Sequence, residues 1–126
     1  MIKNIVFSGA GIKIYSFIGS IKYLEEQNIL CNIENFIGTS AGAIIATLLC
    51  LEFSSIEIEE ILLNINTEKL KDFNSNNILN FFNIYGIDDA KNIERIINIL
   101  FKIKLKKNNI TFKELYEITN KNLIIC

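Results

Sequence analysis

Hydrophobic residues at the front of the chain follow one pattern twice. Residues 4–7 form a short β-branched and aromatic run that ends at a glycine loop, and residues 15–27 then carry apolar side chains at helical spacing. Residues 33–37 form a second short apolar run, which leads through another glycine loop into the apolar helix predicted over 43–51. We therefore expect two parallel strands connected by helical crossovers.

Beyond residue 52 the pattern becomes helical. Ser54 with Glu57, and Thr111 with Glu114, have the spacing of capping boxes and predict the first turns of two helices. The acidic pair at residues 88–89 favours a further helix that runs to about residue 103.

The last five residues, 122–126, predict a third strand that stops at the end of the sequence. A buried parallel strand is an unusual last element, because a domain normally finishes with a polar tail or a docked helix. We expect residues 1–126 to be the N-terminal part of a single domain that is truncated after its third core strand. The unfilled position beside such a strand predicts aggregation or a second chain that completes the sheet.

Composition narrows the range of functions. The chain has 126 residues, half of them hydrophobic, which suits one small globular unit with a buried core. Its net charge of -1 arises from 13 basic and 14 acidic residues, so no overall field attracts nucleic acid or an anionic membrane. We expect no nucleic-acid partner.

Targeting and metal-binding signals are also missing from the sequence. Too few apolar residues precede Ser8 for a signal peptide, and the apolar run at 43–51 is about half of the ~20 residues that a membrane span needs. The three cysteines have no paired spacing, and the chain has no histidine. We expect reduced thiols, no metal, no cofactor, and an intracellular location, either cytoplasmic or peripheral to membranes.

The second glycine loop carries the candidate chemistry. Gly38, Thr39, Ser40, Ala41 and Gly42 satisfy the G-x-S-x-G pattern between a predicted strand and an apolar helix. The sharp turn pushes the serine outward, the two glycines let the backbone pass, and the helix dipole favours negative charge at the serine. Ser40 is thus a candidate nucleophile, although serine is also a common helix N-cap and a plain strand-to-helix turn would have the same pattern.

The first glycine loop favours the catalytic interpretation. If the first two strands are neighbours, the N–H groups of Gly9, Ala10 and Gly11 reach the same edge of the sheet as Ser40. There they would bind the oxyanion that forms when the serine attacks a carbonyl, an interaction whose loss costs about 3 kcal/mol or more.

Together these motifs resemble the patatin-like phospholipase family, whose members have a glycine loop with a basic residue after the first strand and then a serine elbow. The resemblance spans essentially the whole chain and is carried by residues 7–13, Gly19, residues 24–26, residues 38–42 and residues 111–116. It implies an α/β class with a three-layer fold, in which helices flank a mostly parallel sheet. It also implies a lipid acyl hydrolase that cleaves ester bonds as a phospholipase A does, with a lipid or phospholipid as substrate.

Residue by residue, the resemblance implies that Ser40 is the nucleophile, that residues 9–11 form the oxyanion loop and that Lys13 occupies the family's basic position. Two positions depart from the family pattern: Ala10 replaces the middle glycine, and Ile14 replaces the glycine after the basic residue. If residue 10 had to take a positive φ, its methyl group would strain and narrow the loop.

The general base is missing from this sequence. A Ser-His-Asp triad is excluded because the chain has no histidine. The family is known for a Ser-Asp dyad whose aspartate lies in an Asp-Gly motif downstream of the third strand, and no Asp-Gly occurs here. Base assistance is worth on the order of 100-fold to 10,000-fold, so we expect negligible hydrolysis by this chain alone.

Two other functions are compatible with parts of this sequence. A dinucleotide-binding unit also begins with a strand, a glycine loop and a helix, but Ile14 breaks its G-x-G-x-x-G pattern and the second strand lacks the acidic residue for the ribose. The alternative from another class is a catalytically inactive, truncated remnant that acts as an interaction module.

Two clusters outside the glycine loops have two interpretations each. The first is the basic group Lys102, Lys104, Lys106 and Lys107; the second is the aromatic group Phe81, Phe82 and Tyr85. The lysines would give a peripheral membrane contact if they met lipid headgroups, or they form a solvated helix end where cations complement the dipole. The aromatic residues border an acyl-chain site or belong to the core.

Overall fold

The computed structural model describes residues 2–64 and 91–126. The chain divides into two units, one formed by Met1–Asn64 with Asn109–Cys126 and the other by Ile65–Asn108. In chain order the described elements are β1 Asn4–Phe7, α1 Ser16–Glu26, β2 Asn35–Gly38, α2 Ala41–Cys50, α3 Ser55–Asn64, α4 Lys91–Leu105, α5 Phe112–Thr119 and β3 Asn122–Ile125. The predicted aromatic cluster at 81–85 and the acidic pair at 88–89 lie outside the described residues.

Within the described residues, three parallel strands form the sheet, in the order β1-β2-β3. The predicted α/β class and the parallel pairing of the first two strands are therefore confirmed, as is the strand predicted after residue 121. The strand predicted over 33–37 instead begins at Asn35, because a short 3-10 helix, Leu30–Asn32, precedes it. The chain joins the sheet only where the N–H groups of Glu34 and Asn35 both donate to the carbonyl oxygen of Lys3.

The core lies between the sheet and α2, which contacts all three strands. Phe7 and Phe36 point from the sheet into this core, while Ile45 and Leu48 of α2 are fully buried. A helix that is apolar nearly all round is stable only when it is enclosed, so the hydrophobicity of α2 follows from its position. On the side of β1, Phe17 of α1 packs edge-on against Phe7, with ring centroids 5.5 Å apart.

Both predicted capping boxes are present. Glu57 Oε2 accepts from the N–H of Ser54 at 2.7 Å, and the N–H of Glu57 donates to Ser54 Oγ at 3.2 Å. At the start of α5, Glu114 Oε2 accepts from the N–H of Thr111 at 2.9 Å, and the N–H of Glu114 donates to Thr111 Oγ1 at 3.2 Å. Each box satisfies two N–H groups that the first turn of a helix would otherwise leave unpaired.

The sheet face opposite α2 carries two rows of side chains in register. The apolar row consists of Val6, Ile37 and Ile124. The amide row consists of Asn4, Asn35 and Asn122. In the amide row, Asn35 Nδ2 donates to Asn4 Oδ1 at 2.6 Å, and Asn122 Nδ2 donates to Asn35 Oδ1 at 2.8 Å. In the apolar row, Val6 keeps 68% of its surface exposed.

The second unit is described only through α4, which is amphipathic. Lys102 and Lys104 lie in its last turn, in agreement with the interpretation that these lysines form a helix end where cations complement the dipole. Across residues 2–64 and 91–126, no helix has the length and apolar character needed to cross a lipid bilayer.

Candidate active site

Ser40 occupies a strained turn between the end of β2 and the start of α2. Its backbone dihedrals are φ 51° and ψ -126°, and the residue is exposed. Residues other than glycine rarely take a positive φ, and such a conformation costs about 1 to 3 kcal/mol. Strain of this kind persists only where surrounding contacts enforce it, and it is concentrated at functional sites.

The side chain of Ser40 does not act as a helix cap. It accepts no capping hydrogen bond from α2, whereas Thr111 at the start of α5 does accept one from its helix. The bond that defines a serine cap is therefore absent at Ser40. Its hydroxyl is left exposed at the N-terminus of an apolar helix, where the dipole favours negative charge.

Both glycines of the turn are required by their surroundings. A Cβ at residue 38 would lie 2.7 Å from the Cα of Ala43 and closer still to the carbonyl of Gly42. A Cβ at residue 42 would lie 2.5 Å from the carbonyl oxygen of Ser8 and closer still to that of Phe7. Contacts this short are essentially never seen, so the crossing of α2 over the ends of β1 and β2 depends on two residues without side chains.

The first glycine loop lies beside the serine. The N–H of Thr39 donates to the carbonyl oxygen of Phe7 at 3.2 Å, which continues the pairing of β1 with β2 up to the turn. As a result Gly9 faces Ser40: a Cβ built on Gly9 would lie 3.5 Å from the Cβ of Ser40. The structure thus brings the glycine loop and the serine to one edge of the sheet, as expected from parallel strands.

The backbone angles of the first glycine loop show that Ala10 does not strain it. Its φ is -133°, so an alanine fits without strain, and the position that does need a glycine is Gly11, with φ +53°. From Gly11 the chain continues as a 3-10 helix, Gly11–Tyr15, which carries the exposed Lys13. This 3-10 helix directly precedes α1, which corresponds to the helix predicted from about residue 15.

The turn is also tied to the end of β3. Thr39 Oγ1 donates to the main-chain oxygen of Cys126 at 2.8 Å, and the N–H of Cys126 donates to the carbonyl oxygen of Gly38 at 3.0 Å. The sequence did not suggest this contact, because it joins residues 87 positions apart and depends on the register of β3. A threonine between the glycine and the serine is the only local signal that could have pointed to it.

The described residues do not place a general base. The three aspartates of the chain, Asp72, Asp88 and Asp89, all lie outside residues 2–64 and 91–126. At the far end of α2, burial raises the pKa of the Cys50 thiol, whose Sγ donates to the carbonyl oxygen of Lys121. This thiol is a core group and is separated from Ser40 by the length of the helix.

Sequence comparison links the chain to known proteins. A family model described as patatin-like phospholipase matches residues 5–123. The chain is 30% identical over 125 residues to the uncharacterized protein R571 of Acanthamoeba polyphaga mimivirus and 30% identical over 129 residues to the probable lipid hydrolase 463L of Invertebrate iridescent virus 6. Both alignments cover 98% of this chain but only 41% and 42% of the relatives, so the chain spans about two fifths of their length.

A bacterial relative and a solved structure are also similar to the chain. The uncharacterized protein YqhO of Bacillus subtilis is 34% identical over 106 residues, which is 79% of this chain and 36% of that protein. The crystal structure of the type III effector protein ExoU superimposes with a TM-score of 0.54 over 90% of this chain and 22% of its own, at 22% identity. That similarity concerns the fold.

Proposed function

This chain belongs to the patatin-like phospholipase family, and we propose that it carries the nucleophile and oxyanion loop of a lipid acyl hydrolase, with Ser40 as the attacking residue. The observation that carries the proposal is the backbone of Ser40, which is held at a positive φ with its side chain uncapped and exposed. A serine that serves only as a turn or a cap gains nothing from that strain.

In the proposed reaction Ser40 Oγ attacks the carbonyl carbon of an acyl ester. The carbonyl oxygen becomes an oxyanion, which the N–H groups of Gly9, Ala10 and Gly11 would bind beside the serine. A base takes the hydroxyl proton during the attack and gives it to the leaving oxygen as the ester C–O bond breaks, so that the alcohol departs and an acyl group stays on Ser40. Water then releases the acid and restores the serine hydroxyl. The proximity of Gly9 to the Ser40 side chain supports this division of roles.

The substrate class follows from the family and from one relative. Protein 463L of the iridescent virus is described as a probable lipid hydrolase, and we extend a lipid or phospholipid substrate to this chain. Because the serine lies on the surface of the described part, we propose that it meets its substrate at a lipid surface through peripheral contact. A base must still accept the hydroxyl proton, and without an Asp-Gly segment this chain alone is expected to turn over esters negligibly.

Labelling of the purified chain with a fluorophosphonate probe tests the proposal. Such a probe forms an adduct with the serine that water does not readily cleave, so even slow reaction without a general base accumulates to a detectable level during a long incubation at high probe concentration. We expect labelling of the wild-type chain and of Ser20→Ala, which removes an exposed serine on α1, but none of Ser40→Ala. Turnover of a p-nitrophenyl acyl ester, measured in parallel, should stay near the uncatalysed rate.

A folded chain that remains unlabelled would overturn this proposal and favour the inactive interaction module. The specific observation behind that second function is the apolar row on the far face of the sheet, where Val6 is 68% and Ile124 43% exposed. An exposed row of this kind suits a contact with another polypeptide.

A further inference from the structure

Thr39 connects the ends of all three strands at the position immediately before Ser40. We propose that Thr39 is a positioning residue, whose hydroxyl holds Ser40 in the backbone conformation that attack requires. The inference rests on the proposed role of Ser40 and adds to it a residue that acts through the serine without touching the substrate.

Every polar group of Thr39 has a partner. Its N–H donates to the oxygen of Phe7, the last residue of β1, at 3.2 Å. Its carbonyl oxygen accepts from the N–H of Gly42 at 2.9 Å, and its hydroxyl donates to the oxygen of Cys126, just after β3, at 2.8 Å. On the other side of Ser40, the serine carbonyl accepts from the N–H of Ala43 at 2.9 Å. The peptide groups before and after Ser40 are both fixed, so its φ and ψ have little freedom.

The two branches of the threonine side chain have separate tasks. Its Cγ2 methyl lies 3.9 Å from the point that a Cβ on Gly9 would occupy, so it packs toward the glycine loop. Its hydroxyl faces the opposite way in the sheet order, toward the end of β3. Valine keeps the methyl contact and removes the donor, whereas serine keeps the donor and removes the methyl.

This division allows a direct test. Thr39→Val, Thr39→Ser and the wild-type chain would be compared for the rate constant of fluorophosphonate labelling per folded molecule, and for hydrogen exchange in a peptide that spans residues 38–43. Thr47→Val is the matched control, because the Thr47 hydroxyl also donates to a backbone carbonyl, that of Ala43, at 2.7 Å but within α2.

We expect Thr39→Val to label about tenfold more slowly, the factor that corresponds to one lost hydrogen bond of ordinary net strength. Thr39→Ser and Thr47→Val should stay within about twofold of wild type, and faster exchange at 38–43 should occur in Thr39→Val alone. Equal labelling rates and equal exchange in Thr39→Val and Thr39→Ser would overturn the inference, even if both variants melted at a lower temperature.

The two measurements also separate this inference from the proposed function. If the wild-type chain does not label but Thr39→Val still exchanges faster than Thr39→Ser at 38–43, the proposed function fails while the hold of the hydroxyl on the turn stands. If the wild-type chain labels and the two variants label and exchange alike, the inference alone fails. Should Thr39→Val not fold, Thr39→Ala removes the donor in its place. A Thr39→Ser variant that labels as slowly as Thr39→Val would overturn the role of the hydroxyl, because serine keeps the donor.

Discussion

Gly9 and Ser40 face each other across the edge of the sheet, so closely that a Cβ on residue 9 would lie 3.5 Å from the Cβ of Ser40. The two residues come from different strand-to-helix turns, 31 positions apart in the sequence. Parallel pairing of β1 with β2 brings them together.

This relationship predicts different effects for two alanine substitutions in the same loop. The methyl of Gly9→Ala would meet Ser40 at ordinary van der Waals distance, so the free energy of unfolding should change by less than about 1 kcal/mol. It would crowd the serine, however, and fluorophosphonate labelling should fall. Gly11→Ala has open space but a φ of +53°, so it should lose about 1 kcal/mol or more of stability.

Urea denaturation and the labelling rate measured on the same samples check both expectations. The interpretation of the loop would be wrong if Gly9→Ala labelled at the wild-type rate, since its methyl group would then not reach the reactive serine.

Gly42→Ala should be severely destabilising. Its Cβ would overlap the carbonyl groups of Phe7 and Ser8, which belong to rigid backbone and cannot rotate away as a side chain would. Overpacking of this kind costs about 1 to 3 kcal/mol, and α2 must also shift relative to the sheet. Gly19→Ala is the control, since it lies in α1 with nothing near its Cβ and should gain up to about 1 kcal/mol from helix propensity. The melting temperatures of the two variants should therefore shift in opposite directions from that of the wild-type chain, as measured by thermal denaturation.

The parts of the fold that depend on neighbouring residues could be predicted from the sequence. Both capping boxes follow from a three-residue spacing, and the parallel pairing of the first two strands follows from a repeated strand, loop and helix. The glycines at 38 and 42 were predicted to give room for the turn, and the clashes found at both positions confirm that steric reason.

The remaining features depend on exact backbone angles or on distant parts of the chain. Ala10 was expected to strain the loop if its φ were positive, but the positive φ falls on Gly11, one residue later. The 3-10 helix Gly11–Tyr15 was not predicted because five residues are too few to show a period. The bond between Thr39 and Cys126 required knowledge of the third strand's register.

Thr111→Ala should destabilise the end of the chain that forms β3. Its Oγ1 caps α5, and loss of such a cap typically costs about 1 kcal/mol. Glu117→Ala in the same helix is the comparison, because Glu117 is exposed and its ion pair with Lys113, at 3.9 Å, is a weak surface contact. Chemical denaturation should separate the two variants, and a Thr111→Ala midpoint equal to that of Glu117→Ala would argue against the cap.

The three cysteines should react at very different rates under native conditions. Cys31 and Cys126 are exposed, whereas Cys50 is buried and its burial raises the pKa of its thiol. At pH 8 a smaller fraction of Cys50 is therefore the reactive thiolate, and raising the pH should increase its reactivity only when the core also opens. Mass spectrometry after iodoacetamide treatment should find two alkylated cysteines in the folded chain and three in urea. Early modification of Cys50 would mean that α2 is not enclosed as described.

The amide row on the far face of the sheet also determines how the three strands can align. Each strand is only four residues long and its other positions are apolar, so a shift by two residues would keep the apolar side chains on their proper faces. A shift of β3 by two residues would set Asn122 beside Ile37, and the Asn35 carboxamide would lose its hydrogen bond with Asn122. Hydrophobic burial alone does not distinguish these alignments, but the hydrogen bonds between the three carboxamides form in only one of them. The three asparagines thus fix the strand register. By setting the level at which β1, β2 and β3 end, they determine from the opposite end of the sheet that Gly9 comes to face Ser40 and that Cys126 meets Thr39.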